Sequence, residues 1–482
     1  MASEKIKNFW IICISTIFIL LNTFALYFEF YYVLFLPLAL IIFYLALLQL
    51  DILLLTIVFF TPLSVFLRFL VKDLPIDMNL PTEPLMVGAM FLFFLKLLKE
   101  KTYDTKIFFH PISIAILLNL AWLIVTTISS TMPVVSIKFV LARIWFIVVG
   151  YFAMIPLFSN IKRMRIFIWL YILGLLIVSS YSIYRLLGFG LFDQKAAHFV
   201  MRPFFSDHTG YGAMLAMIIP AVIGLSWFSN YHKAVKILLT GLIIFTFWAL
   251  ALSYSRAAWL SLIAASGVLF LMHFRVKLRT MLIFSLILGI LFFIFRFEIF
   301  DKLSKNKQDT SVDFEEQVKS ITNIATDASN RERINRWNSA FRMFSEKPIF
   351  GWGPGTYMFL YAPFQKSADK TIISTNAGIR GNAHSEYLGP LAESGIFGTL
   401  TFLLIVILVA KTAINLYFRT TEKQWKLMIL VTFLGLITYF VHGFLNNFLD
   451  TDKAAVPFWG FIAMLAAMDL YFIPKKQISQ NR

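Results

Sequence analysis

Charge is scarce in this chain. Only 14% of its 482 residues are Asp, Glu, Lys or Arg, against 59% hydrophobic ones. Soluble domains carry about a quarter charged residues, so an ordinary soluble domain is excluded. Cysteine is scarcer still. Cys13, the only one, lies inside the first apolar run, so no internal disulfide can form and cysteine chemistry plays no part. Acidic residues are outnumbered, 26 against 43 basic ones, for a formal charge of +17. That excess builds no basic soluble face of the kind nucleic acid requires. Lys and Arg instead occur in short clusters between apolar runs, the way membrane topology is encoded. Internal repeats and low-complexity tracts are missing too. No small-residue cleavage site follows the start "MASEKIKNFWIICISTIFILLNTFALYF", which therefore reads as a retained first span.

What the chain has in quantity is long hydrophobic runs. Stretches of roughly 18 to 22 apolar residues, each enough to cross a hydrocarbon core, recur along almost its whole length. They predict an all-α polytopic membrane bundle of about 12 to 14 spans, with centres near residues 18, 40, 61, 91, 121, 148, 176, 219, 245, 266, 289, 402, 437 and 464. Basic clusters fall on alternate links ("KLLKEKTYDTK", "NIKRMR", "YHKAVK", "FRVKLR", "YFRTTEKQWK") and in the tail "PKKQ". The intervening short links "YFEFYY", "SSTMPVV" and "FLDTDKAA" are poor in them, which predicts cytoplasmic termini. The chain then divides into residues 1–299 with about eleven spans, an extracytoplasmic loop over 300–387, and 388–482 with about three more spans. Two smaller polar segments share the outer face: "FDQKAAHFVMRPFFSDHTG" (192–210) and the tight turn "SYSRAAW" (253–259). Chemistry in so lipid-buried a chain belongs on those segments. The stretch "KNKQDTSVDFEEQVKSITNIATDASN" reads as a loosely helical part of the large loop.

Within the loop, Ile334, Trp337, Phe341 and Phe344 recur at helical spacing, with Arg331, Arg333, Arg336 and Arg342 spread around them. That pattern fits an amphipathic helix on the membrane surface. It also sets Arg333 one turn from Trp337, where the ring can brace a guanidinium that holds phosphate with its planar fork. "GWGPGTYMF" offers Gly351, Gly353 and Gly355, but no strand precedes it in a βαβ setting, so it reads as a turn rather than a nucleotide loop. Arg256 ends a span in a very short turn, where an arginine either snorkels or marks a site. Arg202 in "MRPFFSDHTG" is a weaker case of the same kind, and Asp207 and His208 beside it read equally well as turn residues and caps. His384 stands before a helix start that Asn382 or Ser385 can cap. There the positive helix end keeps an imidazole neutral, able to take a proton from a sugar hydroxyl or simply to sit satisfied at the interface. Asp450 and Asp452 form a D-x-D that can bind a divalent cation or shape a turn.

Several outward arginines, a neutral base and a large loop over a lipid-embedded body suit one substrate type. It has a lipid tail in the bilayer, a diphosphate at the interface and a transferable group in water. Arginines would hold the diphosphate as charge builds on the leaving group.

Three stretches in order, "SYSRAAWL" (253–260), "RINRWNSAFRMFSEKPIFGWGPG" (333–355) and "NAHSEYLGPLAESGIFG" (382–398), together with the multi-span frame, resemble the O-antigen ligase and O-antigen polymerase family of bacterial membrane glycosyltransferases. The family's usual forms are a T/S-x-S-R turn, an R-x-x-x-W helix leading to G-x-G, and H-N-x-x-L followed by E-x-G-x-x-G. The resemblance covers the C-terminal half. It implies a GT-C-like helical membrane fold and metal-independent, cofactor-free, inverting transfer of a glycan from undecaprenyl diphosphate. The acceptor would be a hydroxyl on the lipid A core or on a growing glycan, as in lipopolysaccharide or other polysaccharide biosynthesis. The site would face the periplasm from a bacterial inner membrane. By matching position, Arg256 and Arg333 would be diphosphate ligands with His384 the base or acceptor-positioning residue, and Glu393 and Gly395 would be structural support. Arg336 and Arg202 join the candidate substrate-binding set. Ser385 stands where the family has Asn. The alternative class, a lipid or polysaccharide transporter or flippase, predicts charges at matching places in two halves and broken midplane helices; neither is visible.

Overall fold

The computed structural model describes residues 15–24, 49–67, 78–99, 103–227, 232–275, 328–367 and 381–472, with single positions at 27, 280, 370 and 374. The expected spans near 40 and 289, Cys13, nearly all of the stretch beginning at Lys305 and the tail lie outside the described residues. Helices account for nearly all regular structure within them. The short helix α1 (Leu50–Phe60) is followed by strands β1 (Val65–Phe66) and β2 (Asn79–Leu80), a small antiparallel pair, and by α2 (Thr82–Lys99). Then come α3 (Pro111–Ile128), α4 (Pro133–Leu157), α5 (Ile161–Leu187), α6 (His208–Trp227), α7 (Lys233–Leu252) and α8 (Arg256–His273). After the loop helix α9 (Ala328–Glu346), the chain closes with α10 (Leu388–Arg419), α11 (Lys423–His442) and α12 (Asp452–Phe472).

Nine of these, α3 to α8 and α10 to α12, are long and apolar enough to cross a membrane, which makes the chain an all-α multi-pass membrane protein. Each coincides with a predicted span, because a run of 18 or more apolar residues has few ways to satisfy its backbone in lipid other than a helix. Local signals set their starts. Pro111 and Pro133 occupy first-turn positions, where a missing N–H costs nothing, and the Asn160 side chain caps the Lys162 amide at 2.9 Å. The apolar run near residue 61 turns out differently from expectation. Helix α1 stops at Phe60 in a turn that leads to β1. Pro62 follows two residues on, with no N–H to donate to a further helical turn. The first span is described only as the apolar helix Ser15–Phe24.

Short links force neighbouring spans antiparallel, so the ends of the bundle differ in character. One end collects the links after α3, α5, α7 and α11 and the approach to α10. Hydrogen bonds tie them together: Arg185 Nη1 on the Arg202 carbonyl (2.7 Å), Tyr254 Oη on the Phe192 carbonyl (3.2 Å), and the Glu386 amide on the Gly443 carbonyl (2.7 Å). The opposite end carries the basic clusters at 162–165, 233–236 and 419–426, where Asp469 pairs with Arg419 and His110. Around the core, α11 packs on α6 and α8, and α10 on α3 and α9.

Below the polar end lies a buried ionic cluster. Lys453 Nζ donates to Ser64 Oγ (2.5 Å), Asn79 Oδ1 (3.3 Å) and Asp452 Oδ1 (3.3 Å), and Asp452 Oδ2 accepts from Ser64 and Thr82. The cluster fastens the α1–β1–β2–α2 segment to the start of α12.

Candidate functional site

The turn before α8 is tight enough to push Tyr254 to φ +50°. An L-residue holds that conformation only where its surroundings dictate it. Ser253 Oγ takes the Ser255 amide at 3.3 Å, and Arg256 opens α8 as its first residue, half-buried. Opposite, Asp207 caps α6: its Oδ1 accepts from the Thr209 amide (2.8 Å), the Thr209 hydroxyl (2.5 Å) and the Gly210 amide (3.0 Å). Burial opposes its charge, yet the Thr209 and Gly210 donors and His208 hold the carboxyl below its ordinary value. The imidazole of His208 stacks on that of His198, centroids 4.0 Å apart and planes 11° apart. His198 is held below its ordinary value by burial and by Arg256, against the pull of Asp207.

Helix α9 has the amphipathic pattern read from the sequence, with its polar side turned towards the protein. Its buried face is polar, formed by Glu332, Asn335, Arg336 and Ser339 with Ala340 and Met343. Phe341 is 49% exposed, and Ile334, Trp337 and Phe344 are only partly covered. The apolar stripe thus points away from the protein body. The guanidinium of Arg336 is pinned on three sides. Its Nε donates to Glu332 Oε1 at 2.8 Å, its Nη1 donates to the Asn382 carbonyl at 3.1 Å, and its Cζ lies 5.7 Å from the Tyr361 ring centroid. The same Nη1 is 3.0 Å from His384 Nε2.

His384 has φ +48° and takes the Asn382 side chain on its own amide at 3.2 Å. Burial first, then the charges of Arg336 and Arg333, push its imidazole down to about 3, against Asp207 and a hydrogen bond with Asn446. Asn446 in turn reaches His442 Nε2 at 3.1 Å. Ser385 turns its Oγ towards the backbone, accepting from the Tyr387 and Leu388 amides at 3.3 Å each. Ser385→Ala should therefore cost about 1 kcal/mol of thermal stability, the ordinary value of a helix-start cap, with little change in His384. A loss above roughly 3 kcal/mol would contradict a capping role.

The loop returns to the membrane through a turn riveted to α10. Gly351, Gly353 and Gly355 have φ of +68°, +117° and +74°. The Trp352 amide donates to the Ala392 carbonyl (3.1 Å), the Gly353 amide to the Glu393 carbonyl (2.8 Å), and the Tyr357 amide to Glu393 Oε1 (3.0 Å). Gly395 breaks α10 at φ +68°, and a Cβ there would lie 2.0 Å from the Ile349 carbonyl oxygen. Just ahead of α10, burial pushes the Glu386 carboxyl up to about 7, with Asp450 adding to it. Its Oε1 nonetheless accepts from Tyr439 Oη (2.7 Å) and the Phe448 and Leu449 amides (2.8 and 2.9 Å), anchoring the link that carries Asn446.

Of the sequence-predicted residues, Arg336 touches His384 directly. Arg333 and Arg336 both act electrostatically on His384, while Arg333 and Arg256 both act on His208. Arg202 stays at the edge: it is exposed, and its Nε donates to the Ser206 carbonyl at 3.0 Å. The D-x-D separates, Asp450 going to Arg143 at 2.8 Å and Asp452 into the Lys453 cluster. Sequence reading missed Glu332, His198, His442 and Asn446 as members of this group. A signal existed for the last two, polar residues four apart where an apolar span ends in "VHGFLNN". Three helix N-termini, those of α6, α8 and α10, also end here, a field that favours an anion.

A family model described as O-Antigen ligase matches residues 241–403, about a third of the chain. The matched segment resembles that family. It contains Arg256, Arg333, Arg336 and His384 and leaves out Arg202, His442 and Asn446. No curated protein matches the chain. The match favours a glycosyltransferase-type enzyme that works with a lipid-linked glycan donor and a glycan acceptor.

Proposed function

We propose that this protein moves a glycan from an undecaprenyl-diphosphate carrier to a sugar hydroxyl at the outer face of a bacterial inner membrane, as an O-antigen ligase or a polysaccharide polymerase. The observation that carries the reading is the meeting of Arg256, Arg333, Arg336 and His384 at the end of the bundle opposite the basic clusters. Positively charged links stay cytoplasmic, which favours an outward-facing site. Arg256 and Arg333 would grip the diphosphate, with Arg202 at the exposed edge, and His384 would meet the acceptor hydroxyl. The acceptor oxygen attacks the anomeric carbon from the side opposite the diphosphate, which inverts that centre. The bond to the diphosphate breaks with its electron pair on the leaving oxygen. No nucleotide is needed, because the donor carries the bond energy. Fixed cations aimed at the growing charge are worth about 3 kcal/mol each, a hundredfold or more in rate.

The test is transfer by purified protein in lipid nanodiscs, given a diphosphate-linked oligosaccharide on a polyprenol and either a lipid A core or a glycan acceptor. Appearance of the joined product supports the reading, and the productive acceptor separates ligase from polymerase. Movement of intact donor across vesicles, with no product formed, would favour a flippase instead.

A further inference from the structure

Resting on that reading, the site's geometry yields a statement about the imidazole itself. An arginine cannot give up its proton, so between Arg336 Nη1 and His384 Nε2, 3.0 Å apart, the histidine nitrogen must be the acceptor. A neutral imidazole that accepts at Nε2 carries its hydrogen on Nδ1. Asn446 is a further hydrogen-bond partner of the ring, and its side-chain oxygen can accept from an Nδ1–H. Arg336 is not free to move aside: Glu332 Oε1, the Asn382 carbonyl and the Tyr361 face hold it in a buried position.

We infer that Arg336, backed by Glu332, locks His384 as its Nδ1–H tautomer, so that the ring donates a hydrogen bond to the substrate and takes no proton from it. Both ring nitrogens are then assigned. Nε2 is capped by the guanidinium, and Nδ1–H points at Asn446 in the free protein and at a substrate oxygen once that partner is displaced. The proton of the acceptor hydroxyl passes to water on the acceptor's side of the anomeric carbon, opposite the departing diphosphate, which balances the transfer without a protein base. Groups around the ring agree. Arg333 and Arg336 act on it from α9, where Glu332 holds Arg336, and Asn446 reaches it from the link after α11, beside His442 at that helix's end. Asp207 ahead of α6 is the carboxylate acting on the ring, and the nearby cations outweigh it. A charged imidazole is disfavoured in that setting, and a base that weak removes protons poorly near neutral pH. Arg336 and Glu332 are positioning residues in this account.

Nitrogen NMR of histidine-labelled protein in nanodiscs tests it directly, with the His384 signals assigned by their loss in His384→Asn. The expected spectrum at pH 7 has a protonated Nδ1 and a bare Nε2, unchanged down to about pH 5. A hydrogen on Nε2, or titration near the ordinary 6.5, overturns the inference. Arg336→Met should raise the titration point by about one unit or more; a variant that folds and shows no rise counts against it. Transfer assays add a second reading. The amide of asparagine overlays Nδ1–H, so His384→Asn should stay within about tenfold of wild type, while His384→Ala loses about a hundredfold. Equal losses in both would restore the base. The spectra need no turnover, so absent transfer by wild type with the expected tautomer would sink the glycan-transfer proposal alone.

Discussion

Replacing Arg256 by alanine should slow glycan transfer by about two to three orders of magnitude while leaving the protein folded. The guanidinium opens α8 at the polar end of the bundle, half-buried, and its field reaches both His198 and His208. A cation held there sees the leaving group gain charge as the anomeric bond breaks, and in a water-poor site each such contact is worth about 3 kcal/mol. Arg256→Lys should fall between, since it keeps a charge but loses the two-pronged grip on phosphate oxygens. The measurement is initial rate at saturating donor, with donor affinity determined separately. If the loss appeared only in affinity, Arg256 would hold ground state and transition state equally, and its catalytic role would fail.

A second large effect is expected far from any substrate. Lys453→Ala should destabilise the protein by about 3 to 5 kcal/mol, because it strands Asp452 in a buried site with its cation gone. Asp452 is 0% and Lys453 3% exposed, so water cannot make up the difference. Lys453→Met combined with Asp452→Asn removes both charges and should recover most of that loss. Thermal unfolding in one detergent, for the wild type, the single variant and the double variant, reads out the comparison. Were the double variant as unstable as the single, the cost would lie in lost packing rather than in the stranded carboxylate.

How much could be read in advance varied with the physics involved. Hydropathy located all nine described spans, because lipid leaves a long apolar run almost no alternative to a helix. Arg256, Arg333 and His384 were found through short motifs whose order along the chain is distinctive. The residues beside them were harder. Arg336 was grouped with the phosphate ligands, yet its Nη1 bonds His384, an arrangement that depends on how a loop lies over a bundle. Helix α9 was only half legible for a related reason: its apolar stripe reads as facing a membrane surface, but nothing in the spacing shows that its polar face packs on the protein. Pro62 was visible, though only the structure shows that it ends α1 where a full span was expected. His198 and His208 stand ten residues apart, and no periodicity predicts that their rings stack.

The seam between the glycine turn and α10 has a consequence for how such a protein diversifies. Main-chain bonds from Trp352 and Gly353 to Ala392 and Glu393 close a ring that holds both the α9 arginines and His384. Spacing between cation and imidazole is then constrained by that closed circuit, and Ser374, from the stretch between Gln365 and Gly381, adds a hydrogen bond to Glu332. Changes in that stretch that spare Ser374 should therefore leave the contact between Arg336 and His384 in place.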